Sequence, residues 1–337
     1  MVIRSRKLGK KNIVWNDYIS NNERFADFIN GVVFHGEQLV RPEALTALDT
    51  KLWRKERRKD SYHEFIRDMV KIWDYQGRKY LFGLEPEESP HLALPVKYMN
   101  YESLEYDRQY KEIVRRHRDQ RDLTTDQYIS GVAGTDRLMP VVTIGIYLGE
   151  KTWHGSARMG DLTAMAEIPP KIRWQIEAFW NNFQVNLLDI HSLSSVDVFR
   201  TDLREVFGFL KLQGNKAELI RYVEENEAFR SLSEDAFDVL SIYADNVKLK
   251  LHKEACRVKE GLDMCTALRE LEEDARREGR KEGRKEGLAT GVKKGGHLMN
   301  ELNRRLVQDG RTEDLFRSIQ DDKYQRRLME EYGICNL

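Results

Sequence analysis

Val70-Lys71-Ile72-Trp73 and Tyr80-Leu81-Phe82-Gly83-Leu84 both carry apolar residues at strand-like spacing, with Tyr75-Gln76-Gly77-Arg78 between them as the only turn signal. The pattern predicts a hairpin centred between Gln76 and Gly77. Its register sets Ile72 opposite Leu81, Val70 opposite Gly83 and Asp68 opposite Glu85. Side chains alternate faces along a strand, so Asp68, Val70 and Ile72 share one face with Leu81, Gly83 and Glu85. Two carboxylates thus stand side by side on an otherwise apolar face. Opposed like charges destabilise a strand pair, and a hard divalent cation held by oxygen ligands offsets the repulsion. A shifted register would instead leave both acids solvated at the hairpin's end.

The same reading along the rest of the chain places a capping-rich loop at Trp15–Asn22 and a helix carrying Phe25, Phe28 and Ile29, with Asp27 beside that stripe. A short strand is expected at Leu92–Val96. A helix follows from about Asn100 to Arg118, with Tyr106, Tyr110, Ile113, Val114 and His117 on one face. His117 lies among arginines and reads as part of a basic helix end rather than as a metal ligand. Val141–Gly149 is the clearest buried strand in the chain, and Phe183–Leu187 alternates like a half-buried one. From about Ser194 only helical periodicity remains, first in Phe199, Leu203, Val206, Phe207 and Leu210, then near 216–229 and 233–252. Strands followed by helices predict an α/β (α+β) core with an all-helical extension.

Charge alters this picture in two places. Residues 51–59 hold six cations around Trp53, a cluster that serves either as a solvated connector or as a phosphate contact through Arg54, Lys55, Arg57, Arg58 and Lys59. Residues 277–287 repeat Glu-Gly-Arg-Lys with alternating sign and no apolar face, which predicts a flexible charged linker. The 56 basic and 56 acidic side chains of the 337-residue chain cancel. A cancelled total excludes no partner, because nucleic acid needs only a local basic patch. Three cysteines without metal-ligand spacing point to a reducing, cytoplasmic setting, and no apolar run is long enough to span a membrane.

Taken in order, Glu23–Gly31, Arg67–Trp73, Tyr80–Glu85, Leu94–Tyr101, Leu104–Gln109, Pro140–Ile144 through Tyr147 and Trp153, Phe199–Leu210 and the glutamate–glycine repeat resemble the Rpn family of recombination-promoting nucleases. That family, often labelled transposases, belongs to the PD-(D/E)XK nuclease superfamily. The likeness runs from about residue 20 to about 290. It implies a PD-(D/E)XK nuclease-like core, a central mixed sheet flanked by helices, over residues 1–190. A helical domain over 194–270, the linker over 271–297 and a short helical segment over 298–337 would follow.

The resemblance also implies a DNA endonuclease hydrolysing phosphodiesters with Mg2+, or alternatively Mn2+. In this reading Asp68 and Glu85 are the metal-binding acids, Asp27 the acid of the first helix and Gln109 the glutamine of the helix after the core strands. DNA would be the partner, no membrane is involved, and the helical C-terminal half could join copies of the chain. The chain departs from the pattern at Pro86 and at Glu87, which stands where the superfamily has lysine and this family commonly glutamine. Glu87 could act as an additional ligand or assisting group, and Lys97 or Lys71 could supply the displaced cation. If neither does, the chain is a catalytically impaired binding module for DNA or protein.

Overall fold

The computed structural model describes residues 9–48, 51–55, 62–66, 69–244 and 253–334. The chain divides into two compact units, Met1–Leu268 and Arg269–Leu337. The first opens with two helices, α1 (Lys10–Ile19) and α2 (Asn22–Val32). The expected loop at Trp15–Asn22 is therefore mostly helix: Trp15, Tyr18 and Ile19 are buried on one side of α1, and only the corner before α2 is a cap. There the Asn21 side chain accepts hydrogen bonds from the Glu23 and Arg24 N–H groups, which no preceding turn could satisfy.

A five-stranded sheet lies at the centre, in the order β1 (Leu45–Ala47), β4 (Met69–Tyr75), β5 (Arg78–Glu87), β6 (Val141–Tyr147) and β7 (Asn186–Asp189). A separate antiparallel pair, β2 (Lys51–Lys55) and β3 (Tyr62–Ile66), falls between β1 and β4 in sequence. The first two pairings of the sheet are antiparallel and the last two parallel. The β4–β5 hairpin has the register expected from its turn, with Ile72 opposite Leu81 and Val70 opposite Gly83. Gln76 and Gly77 both take positive φ, 54° and 78°, and the Asp74 carboxylate accepts the Gly77 N–H. That geometry matches the right-handed twist of the flanking strands.

Because neighbouring paired residues share a face, Lys71, Trp73, Phe82 and Leu84 point one way and Val70, Leu81, Glu85 and Glu87 the other. The first face meets the α1–α2 corner: Trp73 packs edge-on against Phe34, and Lys71 reaches the corner itself. The second face is covered by α3 (Leu94–Gln120), whose Tyr106 packs on Val70, Leu81 and Val141 and accepts the Val141 N–H. The expected strand at Leu92–Val96 is instead the start of α3. Pro95 sits in the first turn, where its missing N–H costs nothing, and Leu94, Tyr98, Tyr101, Glu105 and Gln109 form one buried helical stripe.

A short α4 (Thr125–Tyr128) lies in the connection to β6, and α5 (Pro170–Glu177) in the connection from β6 to β7. Among the described residues of the unit, α6 (Leu203–Leu212), α7 (Lys216–Glu225) and α8 (Glu234–Tyr243) follow, then the two-residue strands β8 (Arg257–Val258) and β9 (Gly261–Leu262). The stripe of Phe199, Leu203, Val206, Phe207 and Leu210 is buried throughout, and Phe207 touches Trp15, Phe28 and Phe199. This joins α1, α2 and α6 into one aromatic core. Arg24 of α2 clamps Asp202 through two nitrogens, at 2.8 and 3.0 Å.

The charged repeat, expected as a flexible segment, is helical: it lies in the middle of α9 (Met264–Gln308), a 45-residue helix. No proline interrupts it, and Lys281 and Lys285 each follow a glutamate by three residues, the spacing that supports a solvated helix. In the second unit, α10 (Thr312–Gln320) and α11 (Asp322–Glu331) accompany the end of α9. Leu302, Leu306, Leu328 and Ile334 make a small core of their own there. Among the described residues no helix is long and apolar enough to cross a membrane.

Candidate active site

The last residues of β5 carry the site. Glu85 is opposite Gly145 and Glu87 opposite Tyr147 of β6, and both glutamates are buried on the α3 face, with 0% and 4% of their surface exposed. Burying a carboxylate is expensive unless a cation or donors meet it. The cation is Lys97, from the first turns of α3. Its Nζ donates to Glu87 Oε1 at 2.7 Å and lies 3.6 Å from Glu85 Oε2. Tyr98, the next residue, donates its phenol proton to the same Glu87 oxygen at 3.2 Å. Burial, then the charges of Glu87 and Glu85, hold that phenol well above its ordinary pKa, so it remains a donor.

Gly145 is what lets α3 come this close. A Cβ at that position would stand 2.6 Å from the Tyr98 hydroxyl oxygen and 2.7 Å from a Leu187 methyl. The strand has no side chain where the phenol needs to lie.

Pro86 is also accommodated for a geometric reason. On its β6 side β5 uses odd-numbered residues: Leu81 N–H donates to the Pro140 carbonyl, and the Glu87 carbonyl accepts from Leu148 N–H. The nitrogen of Pro86 therefore faces away from β6. The described ladder with β4 has already ended, at Met69–Leu84. Proline removes no hydrogen bond from either described pairing, which is the condition under which a strand tolerates it.

The other expected site residues take different places. Asp68 lies outside the described residues. Asp27 is buried on α2. Its carboxylate accepts the N–H groups of Arg200 and Thr201 and the Thr201 hydroxyl, all at 2.7 to 2.9 Å, fixing the turn before α6. Gln109 grips the approach to β6, accepting the Met139 N–H at 2.7 Å and donating to the Met139 carbonyl at 3.4 Å. Its amide also donates to Glu105, which Arg108 holds with two nitrogens. Lys71 is on the opposite face from Glu85 and donates to the Ser20 carbonyl and Asn22 Oδ1, both at 2.5 Å, with its ammonium over the Phe25 ring. Arg54 and Lys55 belong to β2, which lies against α3, while Arg57, Arg58 and Lys59 fall outside the described residues.

Among the described residues no group of three or more His, Cys, Asp or Glu side chains stands together to hold a metal ion. Glu85 and Glu87 offer hard oxygen donors. Magnesium typically takes one or two carboxylates and fills its remaining positions with water and substrate phosphate, so the donor chemistry of the pair is compatible with it.

Tyr98 and Gly145 escape sequence reasoning. The only available signal was the four-residue spacing of Leu94, Tyr98 and Tyr101–Glu105, which runs through the segment that also reads as a strand. No family model, curated protein or solved structure matches the chain.

Proposed function

We propose that the chain is a metal-dependent endonuclease of the recombination-promoting, PD-(D/E)XK type, hydrolysing DNA phosphodiesters at the carboxyl end of β5. The observation that carries this reading is the convergence of the Lys97 ammonium on both Glu85 and Glu87. Strand acids paired with a lysine are the set such chemistry needs. Here the lysine comes from a helix, in place of the strand position that Glu87 occupies.

Glu85, with Asp68 where the resemblance implies it, would hold the magnesium. The ion, when bound, would neutralise phosphate charge and lower the pKa of an attacking water. Lys97 would orient that water and stabilise the negative charge developing on the phosphate, a task suited to an ammonium in a desolvated site. Glu87 and Tyr98 act on Lys97: one anchors the ammonium, and the other holds the anchor. Asp27 and Gln109 act as positioning groups for the loops beside the sheet.

The test is plasmid nicking by purified protein with and without magnesium. Wild type should cut only with the metal, and Glu85→Gln and Asp68→Ala should each remove the activity while leaving the circular-dichroism spectrum intact. Identical traces of product from wild type and both variants would end the proposal.

A further inference from the structure

Every residue of α9 from 276 to 294 is exposed, and Gly279, Gly283, Gly287, Gly291 and Gly295 recur through this stretch at strict four-residue spacing. Glycine weakens a helix interior more than any residue but proline, so five of them in a column need a reason. A left-handed backbone is not that reason, because none of the five has positive φ. Nor does the chain itself crowd them: a Cβ added at any of the five would meet nothing within 4 Å. The remaining reason is approach from outside, since a bare stripe lets another backbone come closer than side chains would allow.

The charges beside the stripe say what approaches. Around Gly279 and Gly283 the positions three before and one after are arginine: Arg276, Arg280 and Arg284. The positions one before and three after are glutamate: Glu278, Glu282 and Glu286. At about 100° per residue these fall on opposite flanks of the stripe, much as e and g positions flank a coiled-coil seam. Arg277, Lys281 and Lys285, two residues from the glycines, fall on the far side. The seam is therefore balanced, three cations against three acids, and the surplus of cations is turned away from it. Two copies of α9 lying parallel are related by a twofold along their length. That symmetry lays the arginine flank of each copy against the glutamate flank of the other, on both sides of the seam. Turning one copy end for end sets arginine on arginine about Gly283, or arginine on Leu288 and Val292 about Gly287.

Further along, the arginine flank gives way to Leu288 and Val292, each directly after a glycine and 71 and 69% exposed. With Arg284, Gly287 and Gly291 they line a shallow groove. Apolar side chains beside glycine notches supply the burial that ion pairs at a water-facing seam do not.

We infer that the glycine stripe is a self-association seam, through which a second copy of the chain pairs parallel and in register with the first. Arg280 and Arg284 then face Glu282 and Glu286 of the other copy on both flanks, while Leu288 and Val292 cover the notches at Gly287 and Gly291. A four-residue period exceeds the helical repeat of about 3.6, so the two helices cross with a right-handed twist. Pairing here needs nothing from Glu85, Glu87 or Lys97, and it holds whether or not the chain cuts DNA.

Sedimentation of the full chain tests this. Wild type should run as a dimer at micromolar concentration, with weaker association as salt rises. Gly283→Leu/Gly287→Leu should raise the dissociation constant by about 10-fold or more, while the helical circular-dichroism signal holds or rises because leucine favours a helix. Helix loss therefore cannot mimic the effect. Glu282→Arg/Glu286→Arg and Arg280→Glu/Arg284→Glu should each weaken pairing, and mixing the two variants should restore it. A chain carrying all four exchanges should pair with itself but not with wild type, because its arginines then meet wild-type arginines. A wild type that stays monomeric, or a leucine variant that associates unchanged, overturns the inference. Free mixing of the fourfold variant with wild type overturns the parallel arrangement. A monomeric wild type whose leucine variant loses affinity for duplex DNA or phosphatidylglycerol vesicles would give the stripe to that occupant instead.

Discussion

The two faces of the central sheet each receive a lysine, and the two lysines live differently. Lys71 is 2% exposed, and burial pulls its pKa down to about 8. Its partners are neutral, a backbone carbonyl and an amide oxygen, and its ammonium lies over the Phe25 ring. Lys97 has an 18% exposed side chain and faces two carboxylates. One lysine ties a strand to a helix corner. The other brings positive charge to the end of a strand where two acids already sit. A buried ammonium among neutral acceptors balances no charge, whereas an ammonium shared between two buried acids lowers the cost of both. The comparison shows that the partners each face supplies, together with burial, set the two lysines apart; under the proposed function Lys97 is the one at the chemistry.

Four measurements would break or sharpen it. Lys97→Met should remove at least 100-fold of the magnesium-dependent cleavage per folded molecule, about 2.7 kcal/mol of transition-state stabilisation, and should also lower the melting temperature, because two buried carboxylates lose their cation. Equal activity in Lys97→Met and wild type would erase the distinction between the lysines. Lys71→Met should affect stability alone, costing about 1–3 kcal/mol in urea unfolding because two acceptors at the α1–α2 corner lose their donor, while the folded fraction cuts normally. Gly145→Ala should destabilise by roughly 1–3 kcal/mol, the usual cost of overpacking, and should also lower cleavage because the added methyl drives Tyr98 off Glu87. A stable, fully active Gly145→Ala would mean that the phenol is not needed there.

The smallest effect belongs to the far end of α3. There the His117 ring nitrogens meet Asp122 at 2.6 Å and Asp136 at 2.8 Å, and these bonds raise its pKa above the usual histidine value. Arg116 pairs with Asp136 as well, and the Ala133 N–H donates to it. A histidine whose folded pKa is raised contributes its stabilisation fully below the unfolded value of about 6.5 and loses it as pH rises through the folded value. The protection factor of the Ala133 amide, its slowing relative to the intrinsic hydroxide-catalysed rate, should therefore fall above that pH, and His117→Asn should make it low and pH-independent. Cleavage should not follow His117, which is far along α3 from Lys97.

Much of this was legible in the chain, for identifiable reasons. The β4–β5 register followed from a single turn whose Gln76 and Gly77 leave one pairing open, and that register put Glu85 on a covered face. The start of α3 was not legible, because Leu92-Ala93-Leu94-Pro95-Val96 is apolar without a period that separates strand from helix, and Pro95 fits the opening turn of either reading. The helical state of the charged repeat was hidden because glycine every fourth residue weakens a helix without forbidding it. Asp27 shows the deepest limit. Its neighbours in sequence make it a plausible acid for chemistry, and only Arg200 and Thr201, arriving from 173 and 174 residues away, make it a clamp.

Pro86 has a consequence beyond its own tolerance. A partner strand on the β4 side would find no donor at Pro86, so the edge of β5 beyond Leu84 is one hydrogen bond poorer than an ordinary strand edge. Growth of the sheet by a further extended segment is weakest there, whereas the β6 side keeps its ladder through Glu87.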